Sequence, residues 1–204
     1  ENTQITDDFF RKDVKPTPLH WIISDAQESI VLESMTDGLH IQQNPYGVLT
    51  NNPPFDFHYY NLINYRHLTA QQSENTFSRS LSLQSYSNGM GAIGLPGDLS
   101  SASRFVRASF MKANSLGGSV EQDIAQFFHI LDSVAMPKGS VITPDSRYEI
   151  TRYSSCCDTV SGRYYYKTYE NSRICYLDLH DADLESTQLQ YLPMLHSADF
   201  YQQR

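Results

Sequence analysis

Cysteine is scarce in this sequence: three residues, an odd count, with no CxxC pair among them. Cys156 and Cys157 are adjacent, which is poor geometry for an ordinary disulfide, so reduced and buried thiols are expected. Basic residues are also in deficit. Fifteen Lys and Arg face 23 Asp and Glu, a net charge of −8, and no basic stripe is present. That balance argues against a nucleic-acid partner and mainly favours solubility. No apolar run reaches the length of a membrane span, and no secretory signal pattern occurs, so a cytoplasmic protein without a membrane partner is expected. Chemical motifs are missing too. The seven histidines (His20, His40, His58, His67, His129, His180, His196) form no HExxH or other metal spacing, there is no GxSxG elbow, and no glycine run ends in GK[ST]. No metal or cofactor is expected. The chain begins at Glu1 without an initiator methionine, which fits a processed chain or a piece of a longer one.

What is present suffices for one domain with a real core: 204 residues, of which 40% are hydrophobic. Fourteen tyrosines and ten phenylalanines favour strands. Leu19 to Ser24 and Ser29 to Glu33 read as a hairpin, Leu39 to Gln42 as a third strand, and Val48 to Thr50 as a fourth. Asn52-Pro53 reads as a helix start, asparagine capping and proline first, with Phe55, Tyr59 and Leu62 at helical spacing. Thr69 to Asn88 is serine- and glutamine-rich, a long loop or interaction arm. A helix over Ala102 to Ala113 is followed by Ser119-Val120-Glu121-Gln122, a capping box opening another helix that Pro137 stops. Strands return at Tyr148 to Cys157, Arg163 to Tyr169 and Ile174 to Leu179. Strands, then helices, then strands define an α+β class.

Two polar residues stand out. The run from Gly89 to Gly97 holds four glycines, a density that marks positive φ or close backbone approach. It leads through a serine cluster to Arg104, at the head of an apolar helix. Arg104 reads either as a surface arginine or as a fork that holds a carboxylate or steadies a thiolate. Asn51 stands between an expected strand and an expected helix. It reads either as a turn residue or as an amide able to donate to a developing oxyanion.

Taken together, Gly47-Val48-Leu49-Thr50-Asn51-Asn52-Pro53 and Gly94-Leu95-Pro96-Gly97-Asp98-Leu99-Ser100-Ser101-Ala102-Ser103-Arg104-Phe105 resemble the choloylglycine hydrolase family, which contains conjugated bile salt hydrolases and penicillin V acylases. Pro18-Leu19-His20-Trp21, Phe127 to Leu131, and Tyr153 to Cys157 with Tyr164-Tyr165-Tyr166 agree in the family's order. The resemblance implies the N-terminal nucleophile hydrolase fold, an αββα four-layer sandwich, with residues 1–204 as the C-terminal portion of a single domain. It implies hydrolysis of the amide between a bile acid and glycine or taurine, by an N-terminal cysteine whose own α-amine is the base. That cysteine belongs upstream of this chain. Cys156, Cys157 and Cys175 are internal and have no free amine, so the chain alone is expected to be inactive. The resemblance makes Asn51 an oxyanion donor and Arg104 a support for the cysteine and its neighbouring aspartate. It assigns Leu19, Val14 and Phe10 to the pocket for the steroid body, against ordinary packing of loop onto core. It also implies a homotetramer, with the 64–88 segment projecting between subunits. Penicillin V acylase and an inactive assembly module are the alternatives.

Overall fold

The structure is a computed structural model and describes Thr6 and residues 19–204. Phe10 and Val14 therefore lie outside the described residues. Two compact units divide the chain, one ending at Asn114 and the other running Ser115–Arg204. Strands, helices and strands follow one another as the α+β class requires.

In the first unit, β1 (His20–Ser24), β2 (Ser29–Met35) and β3 (Gly38–Gln43) form an antiparallel meander in the order β1-β2-β3. Alternation along β2 sends Val31 and Glu33 to the buried face. Val31 meets Phe55 of α1 (Phe55–Ile63) and Phe105 of α2 (Ser101–Ala113), and Tyr46, Val48, Leu49 and Leu62 pack around them. The two phenylalanine rings meet edge-on at 6.1 Å. Each fully buried ring is worth about 1.5–3 kcal/mol, so this contact ties sheet and helices together.

Two local expectations fail here. Val48 to Thr50 is not a strand. Its partners lie elsewhere: Asn44 Nδ2 donates to the Val48 carbonyl at 3.0 Å, and the Thr50 hydroxyl donates to the backbone carbonyl of Ser101 at 3.0 Å. Asn52 does not cap α1, which starts at Phe55 with Pro54 at the cap position and no cap from that side chain. Pro53 and Pro54 have no N–H to satisfy, so the first donor is Phe55 N–H, and both carboxylate oxygens of Glu33 accept from it at 3.1 Å. A carboxylate from the sheet does the work of the local cap, favoured by the positive end of the helix.

The glycine run divides as its density suggested. Gly89 and Gly94 have φ of 82° and 96°. Gly91 is a close approach, because a Cβ there would fall on the carbonyl oxygens of Gln71 and Thr69. Residues 69–88 contain no helix or strand, as expected of an arm.

In the second unit, α3 (Val120–Asp132) opens on the expected capping box, with Ser119 and Gln122 serving each other's backbone. It ends at Asp132, before Pro137. β4 (Tyr153–Asp158), β5 (Arg163–Thr168) and β6 (Cys175–Asp178) form a second antiparallel meander. The first of these strands is shorter than expected, since Tyr148 makes only an isolated bridge with Ile142. Phe128 of α3 is buried, with Lys167 of β5 lying 5.5 Å from its ring centre and paired to Asp132 at 2.5 Å.

Candidate active site

The S-x-x-R-F spacing puts Ser101, Arg104 and Phe105 on one face of α2, at positions i, i+3 and i+4. Ser101 and Arg104 converge on Asn51, while Phe105 stacks on His58. Arg104 Nη2 donates to Asn51 Oδ1 at 2.5 Å, and Arg104 Nε donates to the Leu99 carbonyl at 3.1 Å. Ser101 Oγ donates to the Asn51 carbonyl at 2.7 Å. Arginine has only donors, so the amide oxygen of Asn51 must face it. The amide nitrogen is then turned the other way, as a donor.

Asn51 lines a cavity of about 500 Å³ together with Leu19, His20, Glu33, Ser34, Met35 and the Asn52–Pro54 turn. That volume is ordinary for a small-molecule site, roughly 300–1,000 Å³. Two of the residues singled out from sequence, Asn51 and Leu19, thus share one cavity, and Leu19 presents an apolar side chain that is 60% exposed. Arg104 stands outside the cavity lining and reaches it through Asn51.

The loop before α2 is held by its own polar groups. The Ser100 and Ser103 hydroxyls and the Ser100 N–H donate to the Asp98 carboxylate, which lowers its pKa from 3.8 to about 2. The Ser103 hydroxyl reaches it at 2.5 Å. Arg107, buried at 8% exposure, donates to the carbonyls of Pro96 and Asp98 at 2.8 and 3.2 Å. Two arginines one turn apart thus both hold the loop, and Arg104 alone also reaches Asn51.

Several residues here escape a sequence reading. Glu33 is 4% exposed and meets His20 Nδ1 at 3.0 Å as well as the start of α1. His58 is fully buried, with Nε2 3.0 Å from the Asn51 carbonyl. The signal for His58 was its place three residues after Phe55, on the buried stripe of α1. Burial pushes its pKa below the ordinary 6.5, helped by His20, while the Asn51 and Pro53 carbonyls and Glu33 pull the other way. In the second unit, burial pushes the Cys156 thiol up, aided by Cys157 and Asp158, and all three cysteines are free. A raised thiol pKa is the opposite of an activated nucleophile.

The site thus sets an amide held by an arginine at the edge of a cavity. The model of the linear amide C-N hydrolases, choloylglycine hydrolase family, matches residues 1–191, and the chain belongs to that family. It is 51% identical over 193 residues to a bile salt hydrolase/transferase of Lactiplantibacillus plantarum, a match that covers 94% of this chain and 60% of the relative. Among solved structures, it resembles a mutant conjugated bile acid hydrolase from Clostridium perfringens with a TM-score of 0.88 and 34% identity, over 99% of this chain and 62% of that one. It also resembles a penicillin V acylase from Agrobacterium tumefaciens, with a TM-score of 0.62 and 25% identity over 81% of this chain and 46% of that one. The fold is thus the N-terminal nucleophile hydrolase fold that the resemblance implied. The chain spans between 54% and 60% of the length of the curated relatives it matches at 38% identity or better. Among the described residues, no helix is long and apolar enough to cross a membrane.

Proposed function

We propose that this chain forms part of a bile salt hydrolase, a bacterial cytoplasmic amidase that cleaves the bond between a bile acid and glycine or taurine. The observation that carries the reading is the Arg104–Asn51 bond at the cavity, which turns the Asn51 amide nitrogen into a fixed donor. Fixed donors stabilise an oxyanion without reorganising at the moment of reaction.

The nucleophile in this reading is an N-terminal cysteine upstream of the present chain, with its own α-amine taking the thiol proton. The sulfur attacks the amide carbonyl, a C–S bond forms, and the electron pair moves to the oxygen, where Asn51 Nδ2–H receives it. Collapse breaks the C–N bond. Glycine or taurine leaves with the proton held by the α-amine, and water then hydrolyses the thioester. Arg104 orients Asn51 and lends its charge to the thiolate and its neighbouring aspartate. Leu19, with Phe10 and Val14, takes the steroid body by apolar burial. The assembled protein is a homotetramer joined through the 64–88 segment.

The test is turnover by the complete polypeptide on glycocholate, taurocholate and phenoxymethylpenicillin. Release of glycine and taurine, with slower opening of the penicillin amide, is the expected result. Turnover of penicillin alone moves the protein to the acylase branch, and no turnover of any of the three overturns the amidase reading. The 204-residue chain by itself is expected to be inactive. Glycocholate hydrolysis by it alone would refute an upstream nucleophile.

A further inference from the structure

The oxyanion reading needs the Asn51 amide to hold still, and Arg104 grips only its side chain. The backbone carbonyl of the same residue is gripped separately. Ser101 Oγ lies 2.7 Å away, but its single proton is contested, because Thr50 Oγ1 accepts from the same hydroxyl at 3.0 Å. Thr50 cannot relieve that contest, since its own proton goes to the Ser101 carbonyl. His58 Nε2, at 3.0 Å from the Asn51 carbonyl, is the second donor. A carbonyl only accepts, so Nε2 must carry the proton.

His58 is otherwise an expensive choice. Its Nδ1 is buried and has no hydrogen-bond partner. Its ring stacks on Phe105 at 4.8 Å between centres, a contact that an apolar side chain of similar size makes equally well. An apolar side chain would strand no nitrogen. What the imidazole adds is one N–H, directed at Asn51. Burial in the apolar core disfavours the charged ring and outweighs the pull of the Asn51 and Pro53 carbonyls and of Glu33, so the neutral form is favoured. The charged and titratable groups near it, Glu33 of β2 and His20 of β1, are paired with each other at 3.0 Å.

We infer that His58 is a positioning residue for the oxyanion donor: a neutral imidazole locked as the Nε2–H tautomer, clamping the Asn51 carbonyl so that the side-chain amide stays at the cavity. The inference rests on the amidase reading and is tested apart from it.

The experiment uses the complete enzyme with taurocholate and compares wild type, His58→Leu, His58→Gln, and His58→Leu in an Asn51→Ala background. Loss of a positioning contact costs on the order of 10- to 100-fold in kcat. His58→Leu should show that loss with KM nearly unchanged, His58→Gln should recover most of it by restoring an N–H, and His58→Leu should cost nothing further once Asn51 is gone. Wild-type kcat in His58→Leu, or an equal loss in the Asn51→Ala background, overturns the inference. The tautomer is read on unaltered protein by nitrogen NMR of the histidine ring, which needs no variant to fold. A neutral Nε2–H ring is expected at about pH 7.5, above the ordinary histidine value, since burial lowers the His58 pKa from there. An Nδ1–H ring overturns the clamp, and an imidazolium at that pH overturns the neutral ring. A wild-type enzyme that releases no taurine overturns the amidase reading and the positioning role with it, while the NMR result still decides the clamp.

Discussion

Arginine can only donate, and the chemistry around Asn51 is ordered by that limit. Because Arg104 takes Oδ1, the opposite edge of the amide is the donor, so the two side chains act as one unit. Asn51→Ala should lower kcat of the complete enzyme by roughly 10²–10³-fold, as expected for loss of one oxyanion donor. Arg104→Lys keeps the charge and loses the fork that serves Leu99 and Asn51 together. Combined with Asn51→Ala it should cost less than the sum of the single losses, and steady-state kinetics on the four proteins measures that coupling. Full additivity would mean that Arg104 acts on something other than Asn51. Asp98 gives a second test at this scale. Its pKa of about 2 in the folded chain lies below the ordinary 3.8. A depressed carboxyl pKa adds stability that is complete above the unfolded value and fades as pH falls towards the folded one. Wild type should therefore melt higher than Asp98→Asn at neutral pH, with the gap closing between about pH 4 and pH 2. A gap that stayed constant on acidification would place the effect elsewhere. Asn51 and Arg104 could be singled out in the sequence because each sits in a short motif, and the structure brings the two side chains together. Glu33 could not, because a polar residue in an alternating strand reads as solvent-facing. Its burial depends on the start of α1, 22 residues further on.

At the scale of elements, sequence reading succeeded where the cause was local and failed where it was not. The capping box at Ser119 needs only residues within one turn and formed as expected. Ser119→Ala should lower stability by about 1 kcal/mol, the usual value of such a cap, as measured by urea unfolding. The expected cap at Asn52 failed because a carboxylate on β2 took the first free N–H of α1. The expected strand over Val48 to Thr50 failed because its partners are the Asn44 amide and the α2 serine rather than a neighbouring strand. Gly91 shows the same dependence on distant chain. Its glycine is required by the Gln71 and Thr69 carbonyls, and Thr69 N–H donates to the Gly91 carbonyl at 3.0 Å. Gly91→Ala must push the 69–71 backbone away, so a loss of about 1–3 kcal/mol is expected. Limited proteolysis should also show faster cleavage within 69–88, where that anchor is lost. Unchanged stability and cleavage would show that the loop yields freely.

At the scale of the whole molecule, the segment between Asn64 and Asn88 exposes large apolar side chains. Phe77 and Tyr86 are 83% and 85% exposed, and Leu81 and Leu83 are about half exposed, on a segment without helix or strand. Clustered apolar groups on a surface mark interaction sites. A backbone with few partners of its own has little reason to hold them there in isolation. A second copy of the protein is the occupant that the proposed homotetramer supplies. Burying an aromatic ring is worth about 1.5–3 kcal/mol, so replacing both with serine removes about 3–6 kcal/mol per copy from the assembly. Sedimentation velocity on the complete protein should then show the tetramer giving way to smaller species in the Phe77→Ser, Tyr86→Ser double variant. Bile salt turnover per chain should fall far less than in Asn51→Ala, because neither aromatic lines the cavity around Asn51. A tetramer of unchanged stability in the double variant would remove the arm from the interface and leave its aromatics to another partner.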